Sequence, residues 1–263
     1  MQDLHFSLLT RRALSDPTRA ERALQTVFAT HPDLLPNRYG NHEPLPFRLD
    51  GPLNLHEMMA HWSSPFLWKQ GRRMEGGVWF DSDSVHDSLY ISCTSSRVSP
   101  VLLAALLRTL SHMLSADFAC VHLHYEDEEE YLRRYAALYP MCIGPSTHDL
   151  KRSIPDLPWA TVFGPPYTAL FSPARLALCP AYISEQLPND SWFLQITPDP
   201  LLARTQPQQY ERARDSAKEH LGTEHFLNLA SPRASRMAPR FEWAPVIRNP
   251  LLEYLHQNNL LNE

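Results

Sequence analysis

The chain has 263 residues, of which 43% are apolar and 20% charged, with a formal net charge of -5. That length and composition suit one large globular domain or two small ones and exclude a mostly disordered chain. The mild negative charge argues against a nucleic-acid-binding surface, which is normally basic, and leaves room for a basic protein partner.

The first sixteen residues, MQDLHFSLLTRRALSD, lack a basic start, a long apolar core and a small-residue cleavage site, so no export signal is expected. Asp16-Pro17 opens the first predicted helix, with Asp as N-cap and Pro at the first helical position. Ala20, Leu24, Val27 and Phe28 follow at helical spacing, and the helix should stop near His31, before Pro32. A proline-punctuated segment then runs to about Leu55. With 24 prolines against 8 glycines, such connections are expected to be stiff. Within it, RYGNHEPL at residues 38–45 offers Glu43 as a possible acid, with no base or nucleophile beside it. Gly40 suits a positive φ, Pro44 holds Glu43 extended, and a buried Glu43 would need Arg38 or a backbone donor. The stretch reads as a turn that locks the N-terminal segment onto the body.

A second helix is predicted over His56–Trp62. Residues 76–80 and 88–93 read as two strands of a hairpin whose polar loop covers Asp81 to Asp87. Ser99-Pro100 starts a helix through Leu114, apolar around most of its circumference and therefore buried. Its longest apolar run, Val101 to Leu107, is far short of the ~20 residues a membrane span requires. A strand over Phe118–Tyr125 and a helix over Glu126–Tyr139 follow. After a connector at 148–158, strands are predicted at Tyr167–Phe171 and Trp192–Thr197. A helix over Gln206–Leu221, ended by Gly222, and a strand over His225–Leu229 close the reading. The expected fold is α+β (mixed α/β), with two similar strand–helix–strand units in halves 1–147 and 148–263 whose helices cover the sheet.

Few residue clusters suggest chemistry. His122 and His124 share one face of a strand, with Glu126 next in line, but no HExxH or CxxC completes a metal site. The alternative they raise is a metal-dependent hydrolase using His122, His124 and a carboxylate such as Glu43; the favoured reading is a half-exposed strand face with no metal. Asp81-Ser82-Asp83 begins like a calcium loop and then fails, because Val85, His86 and Ser92 stand where ligands or a glycine are required. Cys93, Cys120, Cys142 and Cys179 form no CxxC pair and are expected to be reduced, buried thiols. No P-loop, GxGxxG or GxSxG occurs, and Pro165-Pro166 beside the single Gly164 removes N–H groups that a phosphate cradle would use. Glu126, Asp127, Glu128, Glu129 and Glu130 make an acidic helix start, stabilised by the helix dipole and by pairs with Arg133 and Arg134. The same cluster would suit docking into a basic cleft. These observations predict a cytoplasmic protein that is not an enzyme, with no cofactor and no nucleic-acid or membrane partner.

Taken together, Arg38-Tyr39-Gly40 through Glu43-Pro44, Trp159 through Gly164-Pro165-Pro166-Tyr167, and Trp192 through Thr197 with Asp199-Pro200 resemble the Immunity protein 52 family of bacterial polymorphic-toxin systems. Members accompany restriction-endonuclease-like toxins, including type VI secretion effectors. The resemblance spans roughly residues 34–229 and carries no catalytic residues. It implies a cytoplasmic inhibitor that binds one toxin, plausibly a nuclease, and covers its active site or blocks its assembly. Tyr39, Gly40, Glu43, Pro44, Gly164, Pro165 and Tyr167 would then be structural. The acidic contacts would come from Asp81, Asp83, Asp87 and Glu126 to Glu130, with Arg233, Arg236 and Arg240 as anchors on another surface. A secretion-system adaptor is the remaining alternative.

Overall fold

The computed structural model describes residues 3–12, 14–80, 85–123, 150, 153–227, 238, 239 and 241. Ten strands form one sheet: β1 (Leu4–Thr10), β2 (Arg38–Gly40), β3 (Phe47–Arg48), β4 (Phe66–Gln70), β5 (Met74–Trp79), β6 (Asp87–Cys93), β7 (Ala116–Leu123), β8 (Ala160–Phe163), β9 (Ile183–Leu187) and β10 (Ser191–Gln195). Their order is β3-β2-β4-β5-β6-β1-β7-β8-β10-β9, and neighbouring strands are antiparallel throughout.

β1 lies mid-sheet, and all seven of its residues are buried. Because it is antiparallel to both β6 and β7, those two strands run parallel and need a crossover. Helix α3 (Pro100–Leu114) supplies it. Its Pro100 sits at the first helical position, and Ser115, with φ at 48°, ends it by turning its N–H back onto the Ser111 and His112 carbonyls. This is the strand–helix–strand unit expected in the first half.

Helix α1 (Pro17–Thr30) begins as the sequence dictates, with Asp16 accepting from the Thr18 N–H at 3.0 Å. α1 and α3 cover one sheet face. There Leu24, Val27, Phe28, Leu103, Leu107 and Leu110 pack on Leu4, Phe6, Leu8 and Val121. Each such side chain contributes roughly 1.5–3 kcal/mol by leaving water. On the opposite face a second core gathers Phe118, Phe163, Trp192 and Leu194. It lies under α4 (Pro165–Phe171), α5 (Pro173–Ala177) and α7 (Pro207–Leu221). Two short helices, α2 (Leu55–Met59) and α6 (Leu202–Thr205), and 3-10 turns at Pro32–Leu34 and Thr223–His225 complete the described elements. The architecture is α+β, one broad antiparallel sheet with helices on both faces.

Several expectations are corrected. Tyr167–Phe171 is helical, not extended. Gly164 stands at the N-cap and Pro165 at the first helical position, and Tyr167, Thr168 and Phe171 bury one helical face. The strand expected at His225–Leu229 is a 3-10 turn over Thr223–His225, followed by a single bridge from Phe226 to Ile154. Residues 228 and 229 lie outside the described residues. Among the described residues, the second half shows no closing strand of a repeated unit. The strands of the two halves share one sheet, since β7 pairs with β8 through Phe118↔Phe163 to Val121↔Ala160. The 56–62 helix is shorter than expected, Leu55–Met59. The predicted 126–139 helix lies outside the described residues.

Candidate functional site

The Arg38–Leu45 stretch builds one wall of an open cleft. β2 ends at Gly40, whose φ is +158°. A Cβ there would fall on the Pro46 ring, so glycine is required by close approach. Glu43 is tied to β4, where its carboxylate accepts from Lys69 Nζ at 2.9 and 3.1 Å and from the Leu45 N–H at 3.2 Å. Arg38 donates instead to the Leu45 carbonyl oxygen at 3.3 Å. Of the two expected partners the backbone donor is present, as the Leu45 N–H, while Lys69 stands in the place of Arg38, and the Glu43 side chain stays 58% exposed. At that exposure the pair stabilises little, about 0–1 kcal/mol. Glu43→Gln should lower the unfolding free energy by no more than that in a denaturant titration; a larger loss would give Glu43 a role the geometry does not.

The cleft floor is aromatic. Tyr39 is buried and stacks on Phe47 at 5.2 Å, and Phe47 stacks on His61 at 3.7 Å. Trp62 packs on Phe66 and Phe80 at 4.7 and 5.5 Å, and its Nε1 donates to the Leu14 carbonyl at 2.9 Å. The opening, about 430 Å³, is lined by Asn41, His42, Phe47, His61, Trp62 and Ser63 among others. Among the described residues, no carboxylate and no thiol lines it. Such a lining can stack and hydrogen-bond a partner.

A second polar cluster closes the end of β1. Asp117, only 2% exposed, accepts from Arg11 Nε and from Arg11 Nη2 at 2.9 Å, and bonds His86 Nε2 at 3.2 Å. Burial works to raise the Asp117 pKa, but the His86 and Arg11 hydrogen bonds and their charges outweigh it and hold the carboxyl below its ordinary value. Phe241 flanks the group, 4.7 Å from the His86 ring. Gly164 donates its N–H to the Asp117 carbonyl at 2.9 Å, and a Cβ on Gly164 would strike the Ala116 carbonyl oxygen. That contact explains the glycine of the Phe163–Tyr167 motif. Tyr167 is buried beside Phe118 and Phe163, its hydroxyl without a hydrogen-bond partner among the described residues. Sequence reasoning missed this cluster. The available signal was a carboxylate between apolar neighbours, Ala116-Asp117-Phe118, which burial forces to find a partner.

Other charges clamp elements in the same way. Asp3 binds the Ser95 N–H and Oγ, both at 2.6 Å, and Arg204 at 3.0 Å. Asp156 joins Arg214 at 3.0 Å and Lys218 at 2.8 Å. Asp87, offered from sequence as an acidic contact, is half-buried, and its carboxylate accepts from the Leu14 N–H. Burial pushes its pKa up, against that bond and the His86 charge. Asp81, Asp83 and Glu126 to Glu130 lie outside the described residues, as do His124, Cys142, Arg233, Arg236 and Arg240. His122 stacks on His5 across the strand pair at 5.4 Å, and the His5 Nδ1 lies 2.7 Å from the Ser92 hydroxyl. His122 and the Glu43–Lys69 pair stand four strand spacings apart, on the order of 19 Å. The structure therefore keeps His122 and Glu43 of the hydrolase alternative apart. Among the described residues, no three His, Cys, Asp or Glu side chains converge as a metal site. Burial pushes the Cys93 and Cys120 thiols up to about 12 and Cys179 up to about 11, which makes them poor nucleophiles. Among the described residues, no helix is long and apolar enough to cross a membrane.

No protein-family model matches the chain, the Immunity protein 52 family included, and no curated protein matches it. Among solved structures, it is similar to the Pseudomonas aeruginosa T6SS protein PA0821, with a TM-score of 0.53 and 13% identity over 88% of this chain and 86% of that one. At that identity the likeness is one of fold.

Proposed function

We propose that this chain is an immunity protein, which neutralises a secreted bacterial toxin by binding and covering it and turns over no substrate of its own. The observation that carries the reading is the likeness of nearly the whole chain to a T6SS protein. The chemistry of the described sites supports it. Asp3, Asp117 and Asp156 are each committed to clamping strands, loops and helices together, and the cleft beside Phe47 presents stacking surfaces without an acid or a thiol among the described residues. The partner is expected to be basic, as a nuclease cleft would be, with complementary charge speeding encounter.

The test is co-expression with the C-terminal domain of the protein encoded beside this chain's gene. Restored growth and an equimolar complex are expected. An intact complex without rescue would make the chain an adaptor of the secretion assembly, and turnover by the isolated chain would end the inhibitor reading. Reversing Glu128 and Glu129 to Lys should slow association, most visibly at low salt; an unchanged on-rate would remove that acidic segment from the interface.

A further inference from the structure

The two ends of the sheet are defended unequally. An edge strand offers unpaired backbone donors and acceptors, and monomers blunt such edges with brevity, prolines, lysines or bulges. β3, at one end, is two residues long and follows Pro44 and Pro46. β9, at the other, runs Ile-Ser-Glu-Gln-Leu over residues 183–187 with no proline or lysine, and is the last strand among the described residues. It is also held rigid from within, since Ser184 Oγ donates to the Leu176 carbonyl at 2.6 Å and accepts from Trp192 Nε1 at 2.8 Å.

The ladder fixes which groups face outward. The Ile196 N–H donates to the Trp159 carbonyl, so Trp192 and Leu194 also bond toward β8. Ser191, Phe193 and Gln195 therefore bond to Leu187, Glu185 and Ile183 of β9. This leaves the N–H and C=O groups of Ser184 and Gln186 pointing away from the sheet.

Beside this edge runs a stripe of α3. Arg108 pairs with Glu185 at 3.1 Å, and His112 meets Asn189 in the β9–β10 turn at 3.0 Å. Residues 101 and 105 continue the same helical stripe. Val101 is 66% exposed, Ala105 is exposed, and Tyr182, at the start of β9, is 58% exposed. Ile183 and Leu187 are half-buried on that face. Among the described residues, the edge thus carries an open backbone ladder and an aliphatic shelf.

We propose that the outer edge of β9 is where an extended segment of the partner protein adds as a further strand, antiparallel or parallel, with its side chains resting on Val101 and Ala105. The inference rests on the binding-protein reading above. Charge selects the occupant. A second copy of this chain, paired so that all five β9 residues engage, would set Glu185 opposite Glu185 at the close spacing of a non-hydrogen-bonded pair, which is unfavourable because the part-exposed Arg108 pair offsets each charge only in part. A partner segment with apolar residues flanking a polar one matches Ile183, Leu187 and the Glu185–Arg108 pair between them. Backbone bonding then supplies affinity and the alternate side chains specificity.

The experiment measures binding of the neighbouring gene's product to the full chain by calorimetry. Gln186→Pro deletes an outward N–H and keeps the bonds that Glu185 and Leu187 make to β10, so the fold tolerates it at an edge. Binding is expected to weaken about 30-fold, and Gln186→Thr, which restores the N–H, should recover most of the loss. Val101→Arg, a surface change that leaves the core untouched, should weaken binding about tenfold. In the wild-type complex the Ser184 and Gln186 amides should exchange more slowly. Wild-type binding unaffected by Gln186→Pro and Val101→Arg, with exchange unchanged at both amides, overturns the β9 assignment alone. No wild-type binding overturns the immunity reading and this inference with it. A dimer of the chain alone that Gln186→Pro dissolves overturns the choice of occupant.

Discussion

Replacing Asp117 by Ala is expected to cost about 3–5 kcal/mol of stability, the range for breaking one side of a buried ion pair. The two partners contribute unequally. The Arg11 side chain is 45% exposed and returns to water, whereas His86 is fully enclosed and would lose its hydrogen bond to Asp117 inside the protein. Denaturant midpoints at neutral pH measure the loss. The same residue shapes the acid limb. Its folded pKa lies below its ordinary value of 3.8, so its contribution is complete above about pH 4 and is lost as pH falls through the lowered folded value. Asp3 and Asp156, also held low against their burial by Ser95 and Arg204 and by Arg214 and Lys218, act in the same direction. Asp87 opposes them, because a raised folded pKa gives a contribution that declines as pH rises through it. The Ala variant should therefore lose stability less steeply below pH 4 than the wild type, by up to about 1.4 kcal/mol per pH unit. Parallel acid limbs would show that Asp117 is not depressed by its partners.

Gly164→Ala is expected to destabilise by about 3 kcal/mol, at the upper end for overpacking. The backbone at Gly164 has φ -72° and ψ -180°, which any residue adopts. An ordinary Gly→Ala change there would stabilise slightly by restricting the unfolded chain. Here the added carbon strikes the Ala116 carbonyl oxygen and lies 2.7 Å from the Asp117 Cα, both backbone atoms that cannot swing aside. Relief would require separating α4 from the start of β7. It would also stretch the Gly164 N–H bond to Asp117, which seats the strand carrying the Asp117 carboxylate. A midpoint equal to or above the wild type's would refute the close approach.

What the sequence disclosed follows physical range. α1 and α3 were legible because Asp16-Pro17 and Ser99-Pro100 announce their starts and apolar spacing continues within one segment. The β5–β6 hairpin was legible for the same local reason. β1 was not, because a strand buried on both faces shows no alternation, and LHFSLLT is too short to argue from hydrophobicity alone. PPYTALF misled as an extended run although Gly164 and Pro165 announce a helix start. The Asp117 cluster joins residues 106 and 31 positions apart, and Glu43 finds Lys69 at 26. Such pairings are decided by strand order, which no spacing rule encodes.

The place of β1 has a consequence for synthesis. Its neighbours on either side, Asp87–Cys93 and Ala116–Leu123, are translated long after it. At ordinary elongation rates, the seven core residues of LHFSLLT must wait on the order of ten seconds before their last partner leaves the ribosome. Throughout that interval Leu4, Phe6, Leu8 and Leu9 lack the strands that cover them in the folded sheet, so this part of the core can close only once Leu123 has emerged.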